Sequence, residues 1–301
     1  MKRKLSLLFL MLGLPVLADS AKDFYYHPPP DVEIVWNAPT NSPGVLPVYK
    51  TGPRNFSPTV ISNAMKLASF EKSDLVISNE ALIRFQDKKN DRWNRFLNIM
   101  PEAGQIMYHP RAESASSPDG VPDEQEVSKR AWDCLSLFGI ERSQVCELPE
   151  NRKIETCADS TNVCTRGIFL SRVVAGSGMR ETGFGIDFGS HAQIKDFYLF
   201  WPTWEKAGNQ QTATVEQIIQ WLKDGKMLPT EDELPDADKI QQLKKAKKLI
   251  ITGFDLHYGQ GKYGELPSKE NEHLVSPFGV LKGIANLENT NINFTLYCPV
   301  Y

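Results

Sequence analysis

The chain has 301 residues, 41% of them hydrophobic and 24% charged, with a formal net charge of −3. That is enough for one large domain or two small ones, each with its own core, and twenty prolines with twenty glycines make it loop-rich without making it disordered. A mildly acidic balance argues against nucleic acid, which demands a basic face.

Lys2, Arg3 and Lys4 precede a short apolar run, Leu5–Leu14, and Pro15-Val16-Leu17-Ala18 leads to a cut before Asp19. This pattern predicts a signal peptide over residues 1–18, with an apolar run shorter than the ~20 residues that span a bilayer. Cleavage removes three cations and no anions, so the charge moves from −3 to −6. The expected location is secreted or periplasmic, with no stable membrane span after signal removal.

Residues 19–56 read as a proline-rich arm with two short extended patches, Val32–Trp36 and Val45–Tyr49. A first α+β unit is expected over 57–121. Ser57 caps a helix with Pro58 in its first position, and Val60, Ile61, Ala64, Met65 and Ala68 form its apolar stripe. Extended stretches follow at Asp74–Phe85 and Arg95–His109.

A second, larger unit is expected over 122–301. It opens on a helix capped by Asp123 and Glu126, striped by Val127, Ala131, Cys134, Leu135 and Phe138, and stopped by Gly139. Strands follow at Lys153–Cys157, Cys164–Ala175, Thr182–Phe188 and Ile194–Trp201. Phe184, Ile186 and Phe188 alternate with Gly183, Gly185 and Asp187, an apolar face against a bare or polar one. Thr214–Lys223 is the strongest amphipathic helix, with Val215, Ile218, Ile219 and Leu222 on one side. A short helix near Lys239–Lys247, a strand carrying Ile250 to Tyr258, and strands at Phe278–Leu287 and Ile292–Tyr301 complete the chain. Helices followed by turn-connected strands predict an α+β fold of tandem helix-on-antiparallel-sheet units.

The five cysteines suit an oxidising compartment. Cys157 and Cys164 bracket the polar turn Ala-Asp-Ser-Thr-Asn-Val and are the disulfide candidates at the base of a hairpin. Cys134 and Cys298 lie on apolar faces, as buried thiols or as partners of each other or of Cys146. No C-x-x-C occurs, which argues against thioredoxin-like redox work and zinc sites built on that motif.

Gly259, Gly261 and Gly264 spell G-x-G-x-x-G, but Pro267 stands where a dinucleotide fingerprint needs its helix, so the segment reads as a flexible connector and no cofactor is expected. Asp255 and His257 share a strand face with a spacing that a metal tolerates and a solvent-facing edge explains equally well. No spacing ties in a third ligand such as His273. Ser190-His191 is adjacent in a turn, the wrong relation for a nucleophile and its base, and no G-x-S-x-G occurs. "DFYLFWPTWE" is apolar on both strand faces, which places some of its aromatics in the core and leaves Trp204, after Pro202, as core or as a contact. Asn55-Phe56-Ser57 and Asn293-Phe294-Thr295 are glycosylation sequons, meaningful only in a eukaryotic secretory pathway.

"PDEQEVSKRAWDCLSLFGI", "RGIFLSRVVAGSGMRETGFGIDFGSHAQIKDFYLFWPTWE", "TATVEQIIQWLKDGK" and "KKLIITGFDLHYGQ", over residues 122–301, resemble PepSY-like domains, nearest to extracytoplasmic regulatory proteins of the YycH/YycI type. The resemblance implies a cystatin-like α+β fold and a binding or inhibitory role without chemistry. The function expected is an exported, non-catalytic binding or regulatory protein whose partner is a protein or peptide, held at sheet edges and loops by β-augmentation or loop insertion. The binding candidates are His191, Trp204, Asp255, His257 and Tyr258, with the Tyr258–Ser268 loop. The alternatives are a secreted hydrolase with an unrecognised active site and a structural cell-surface component.

Overall fold

The computed structural model describes residues 25–39, 44–87, 95–110, 117–157, 161–230, 237–260 and 273–301. Residues 1–18, expected as a signal peptide, and most of the glycine-rich connector lie outside the described residues. In chain order the elements are β1 (Glu33–Trp36), β2 (Val45–Gly52), α1 (Pro58–Leu67), β3 (Leu75–Ser78), β4 (Ile83–Gln86), β5 (Phe96–Met100) and β6 (Gln105–His109). Then come α2 (Glu124–Leu137), β7 (Val145–Thr156), β8 (Val163–Val174), β9 (Ser177–Phe188), β10 (Ile194–Phe200) and β11 (Thr203–Gln211). The chain ends with α3 (Val215–Lys223), β12 (Leu228–Pro229), α4 (Ala237–Leu243), β13 (Lys248–Gln260), β14 (Leu274–Asn286) and β15 (Asn291–Cys298).

The helices start as their caps dictate. The Ser57 hydroxyl accepts from the Val60 N–H, the Asp123 carboxylate from Glu126, and the Thr214 hydroxyl from Gln217. Gly139 and Gly225 leave α2 and α3 at φ 69° and 68°, the left-handed exit that glycine adopts without strain. A 3₁₀ turn follows each of the first two helices, Lys72–Asp74 and Arg142–Gln144, and each closes on a side chain three residues ahead: Glu71 N–H donates to Asp74, Glu141 N–H to Gln144.

Two compact units form. The smaller gathers the described N-terminal residues up to 39 with Thr214–Phe254 and Val280–Pro299. In it β1 runs parallel to β13, Glu33 opposite Lys248, and the order continues β13-β14-β15-β12. Tyr26, 1% exposed, donates its hydroxyl to the Leu243 carbonyl at 3.0 Å, and its N–H bonds the Met227 carbonyl at 2.8 Å. Ile218 and Leu222 form the buried face of α3.

The larger unit gathers Asn41–Ala213 with Asp255–Gly279. Its centre is the antiparallel pairing of β6 with β10, Tyr108 opposite Phe197 and Ile106 opposite Leu199. That pairing joins β3-β4-β5-β6 to β10-β9-β8-β7. α1 lies on β5 and against α2, and α2 lies on β8 and β9. All of these share one core, with Leu97, Ile99, Leu135, Phe138, Phe184 and Phe197 at no more than 1% exposure. Full burial of one such side chain stabilises by roughly 1.5–3 kcal/mol. Phe184, Ile186 and Phe188 face the helices, as the alternation predicts; Gly183, Gly185 and Asp187 face away.

The structure overturns the expected α+β fold class. Strands hold 49% of the described residues and helices 21%, so the protein is mostly β. Its fifteen strands among the described residues form one mixed sheet, not tandem helix-on-antiparallel-sheet units of a cystatin- or PepSY-like kind. The reason is the β6–β10 pairing, which merges the two helix-and-strand runs over one core. The patches inside the proline-rich arm also become β1 and β2, with β2 between β11 and β14. Asn79 breaks Asp74–Phe85 into two strands by accepting the N–H groups of Ala81 and Leu82.

A charged row crosses β7 to β10 on the helix-free face. Lys153 stands opposite Gly167, Gly167 opposite Asp187, and Asp187 opposite Asp196. A Cβ at Gly167 would collide with the Asp187 carboxylate; without it, the Lys153 ammonium reaches across to Asp187. Burial pushes the Asp196 carboxyl up to about 6, with the Asp187 charge adding to the push and Lys153 opposing it. Asp187 is raised too, by burial, against the pull of Lys153. Folded Asp196 holds a proton that the unfolded chain releases near its ordinary 3.8, so this group's contribution to stability falls as pH rises from there through about 6. Asp196→Asn is therefore expected to raise stability near neutral pH by on the order of 1 kcal/mol and to have less effect near pH ~4. Thermal denaturation of both proteins across that range checks it; an equal gain at both ends contradicts it.

Candidate functional site

Residues 194–204 carry aromatic side chains on both faces of β10 and beyond it. Phe197 and Leu199 enter the helix-side core with Trp201, whereas Tyr198 and Phe200 point to the opposite face. There they floor a cleft of about 510 Å³. One wall is the end of β2 and its continuation, Lys50 to Pro53, with His273; the other is the β5–β6 turn, Glu102, Ala103 and Gln105, and Pro202 closes it. Gln105 stands opposite Phe200 in the β6–β10 ladder, so the pairing that builds the core also sets one wall against the floor. Burial raises the Tyr198 phenol well above its ordinary range, keeping it a neutral hydrogen-bonding group.

The turn is held in place by its backbone. Trp201 N–H donates to the Gly104 carbonyl at 2.8 Å, and Arg54 N–H to the Pro101 carbonyl at 2.9 Å. Gly104 has φ 63°, and a Cβ there would lie 2.5 Å from the Pro202 Cα.

Beside the cleft, the Arg172 guanidinium stands 4.4 Å from the Trp201 ring centroid and 3.4 Å from that of Trp204, and donates to the Pro202 carbonyl at 2.7 Å. Burial lowers its pKa to about 10, with Arg54 adding repulsion, and the two indoles supply the compensating cation–π attraction. Tyr49 lies 5.9 Å from Trp204 and 6.3 Å from Tyr258, joining them with Met179 and Val275 in a second apolar cluster.

The structure therefore brings Trp204 and Tyr258 together and turns both inward. Tyr258 is 1% exposed, and burial, with Tyr49 beside it, raises its phenol to about 12. His257 is half-buried and stacks on Phe278 at 5.9 Å, and Asp255 is exposed on β13. His191 sits exposed in a separate turn at φ 52°, its N–H bonded to the Asp119 carbonyl at 2.8 Å. Among the described residues no three His, Cys, Asp or Glu side chains stand where they could hold a metal ion. No local motif in the sequence marks Tyr198, Phe200, Lys50 or Glu102 as a site residue. The usable signal was a strand with aromatics on both faces, one face more than a single helix-covered core requires.

Cys157 and Cys164 meet at the closing end of the β7–β8 hairpin. The Cys157 N–H donates to the Asn162 carbonyl at 2.9 Å, and its thiol lies within hydrogen-bonding reach of Cys164. Both are free thiols here, and Cys164 also contacts the Glu155 carbonyl at 3.5 Å. Cys134 packs at the margin of the main core, where burial pushes its thiol up to about 11.

No family model matches this chain, and no curated protein is similar to it in sequence. Among the described residues, no helix is long and apolar enough to cross a membrane. Fold and site together define a mostly-β protein with a ligand-sized, aromatic-floored cleft.

Gly104→Ala is expected to cost on the order of 2–4 kcal/mol, because strain at positive φ and a backbone collision act together. Urea titration measures it, and a cost under about 1 kcal/mol would show that the turn moves freely. Air oxidation is expected to join Cys157 to Cys164, adding about 2 kcal/mol by closing a short loop. Thiol alkylation with peptide mass analysis, without and with reduction, reads the bond directly; full alkylation of both before reduction contradicts it.

Proposed function

We propose that this is an exported, non-catalytic binding protein that takes a peptide or protein segment in the cleft floored by Tyr198 and Phe200. The export half of the reading rests on the signal-like residues 1–18 and on the adjacent Cys157–Cys164 pair, which suits an oxidising compartment.

The binding half rests on one observation, the volume and lining of the cleft. About 510 Å³ lies in the range of ligand sites, roughly 300–1,000 Å³. Tyr198, half-buried, offers rigid aromatic contact area at low entropic cost, with the buried Phe200 beside it. Thr51 and Gln105 supply hydrogen-bonding groups, and Lys50 and Glu102 place opposite charges on opposite walls. A peptide presents apolar side chains, amides and both signs of charge, and matches this lining better than a uniformly apolar or uniformly anionic ligand does.

The test is selection from a displayed peptide library on the purified protein, followed by calorimetry on the selected sequences. Tyr198→Ala and Lys50→Glu are each expected to weaken binding at least about tenfold, the worth of ~1.4 kcal/mol. Lys50 is exposed, so its variant should keep the melting temperature of the parent. Selected peptides that bind both variants as tightly as the parent would refute the cleft as the site.

A further inference from the structure

The arginines of the larger unit divide by what they face. Arg95 meets Asp87, Arg130 meets Glu126, and Arg152 meets Glu124 and Glu147, each as an ion pair. Arg54 and Arg172 are both half-buried, and neither makes an ion pair among the described residues. A charge drawn out of water is ordinarily paired, so two unpaired guanidiniums in one place call for a counterion.

The two converge on one stretch of backbone. Arg54 Nη1 stands 3.5 Å from the Trp201 carbonyl oxygen, and Arg172 Nη1 donates to the next carbonyl, that of Pro202, at 2.7 Å. Each also rests on aromatic rings, Arg54 at 5.5 Å from the Phe56 centroid and Arg172 on Trp201 and Trp204. The rings offset the loss of water around each cation but leave the like charges beside each other, and Arg54 lowers the Arg172 pKa beyond what burial does. Rings take the faces of a guanidinium and leave its edge N–H groups to an acceptor. Among the described residues nothing accepts from Nε or Nη2 of either arginine. The Trp204 indole N–H, on a ring that Arg172 covers, is buried without an acceptor as well.

We propose that Arg54 and Arg172 form a binding site for a phosphate dianion, free or as the terminal group of an ester. One guanidinium fork satisfies both oxygens of a carboxylate, whereas a phosphate presents a third acceptor oxygen and a second charge, which two forks meet. Of the residues named at this site only Pro202 also lines the cleft, so the proposal stands apart from the peptide reading.

Calorimetry and thermal melting of the full protein near neutral pH test it, with sodium phosphate, methyl phosphate, sodium acetate or sodium chloride added at constant ionic strength. The expected result is saturable binding of phosphate at one site and a melting temperature that rises with it, while acetate and chloride leave both readouts unchanged. Arg54→Gln and Arg172→Gln should each weaken phosphate binding at least about tenfold. Arg142→Gln, at an exposed arginine stacked on Trp132, should bind as the parent does. The phosphate-dependent rise is read within each variant, so a variant of lower basal stability still reports, and Arg54→Gln decides the matter if Arg172→Gln does not fold. Methyl phosphate binding at least as tightly as phosphate assigns an ester group, and tighter binding of phosphate assigns the free ion; either result supports the site. No response to either phosphate, a response that survives in both variants, or an acetate or chloride response equal to that of phosphate overturns it.

Discussion

The pairing of β6 with β10 is the constraint on which the larger unit rests. Tyr108 and Phe197 stand opposite each other with ring centroids 5.4 Å apart, and Ile106 faces Leu199 with both fully buried. Strand pairing at this point makes one sheet of two four-strand runs, so α1 and α2 need only one core between them. Because strand side chains alternate, the same register sends Gln105, Tyr198 and Phe200 to the other face. Core and cleft are thus two consequences of one ladder. A one-residue slip would exchange them and put Phe197 and Leu199 in the cleft.

The face turned away from the helices is varied along its length. Near the charged row it is tied by Lys153 and Asp187 through the gap that Gly167 leaves. Gly183 and Gly185 leave β9 bare, and the Phe169 ring lies 3.1 Å from where a Cβ on Gly185 would be. Toward the end of β10 the face becomes aromatic and open, and beyond it Arg172 is clamped between two indoles. The glycine positions separate these regions, since they let neighbouring side chains lie across the sheet instead of standing above it. The unit combines a rigid, charge-pinned end with an end whose side chains line a recess.

The elements with strong local signals were legible in the chain. Ser57-Pro58 and Asp123 with Glu126 start their helices where caps and apolar stripes place them, and the stripe of Val215, Ile218, Ile219 and Leu222 locates the third, because capping and 3.6-residue periodicity act over a few residues. The alternation of Phe184, Ile186 and Phe188 with small or polar residues located β9 and its buried face. β11 left no such trace. Apart from Trp204 and Ala207, Thr203–Gln211 is polar or glycine, and it becomes a strand by pairing with β2, which is separated from it by more than a hundred residues. The cleft was illegible for the same reason: Lys50, Glu102, Tyr198 and His273 come from four distant segments, and only the ladder brings them to one recess.

What the sequence by itself determined is the set of helices, their caps, most of the strands and the inward faces of each, all products of interactions between near neighbours. The tertiary structure alone decided that these elements share one mixed sheet and not two α+β units, that Trp204 and Tyr258 turn inward, and that Tyr198 and Phe200 floor a cleft. Those outcomes depend on which strands pair across long separations. The energy of such pairing lies in side chains that meet only once the chain has folded, and no local pattern records it.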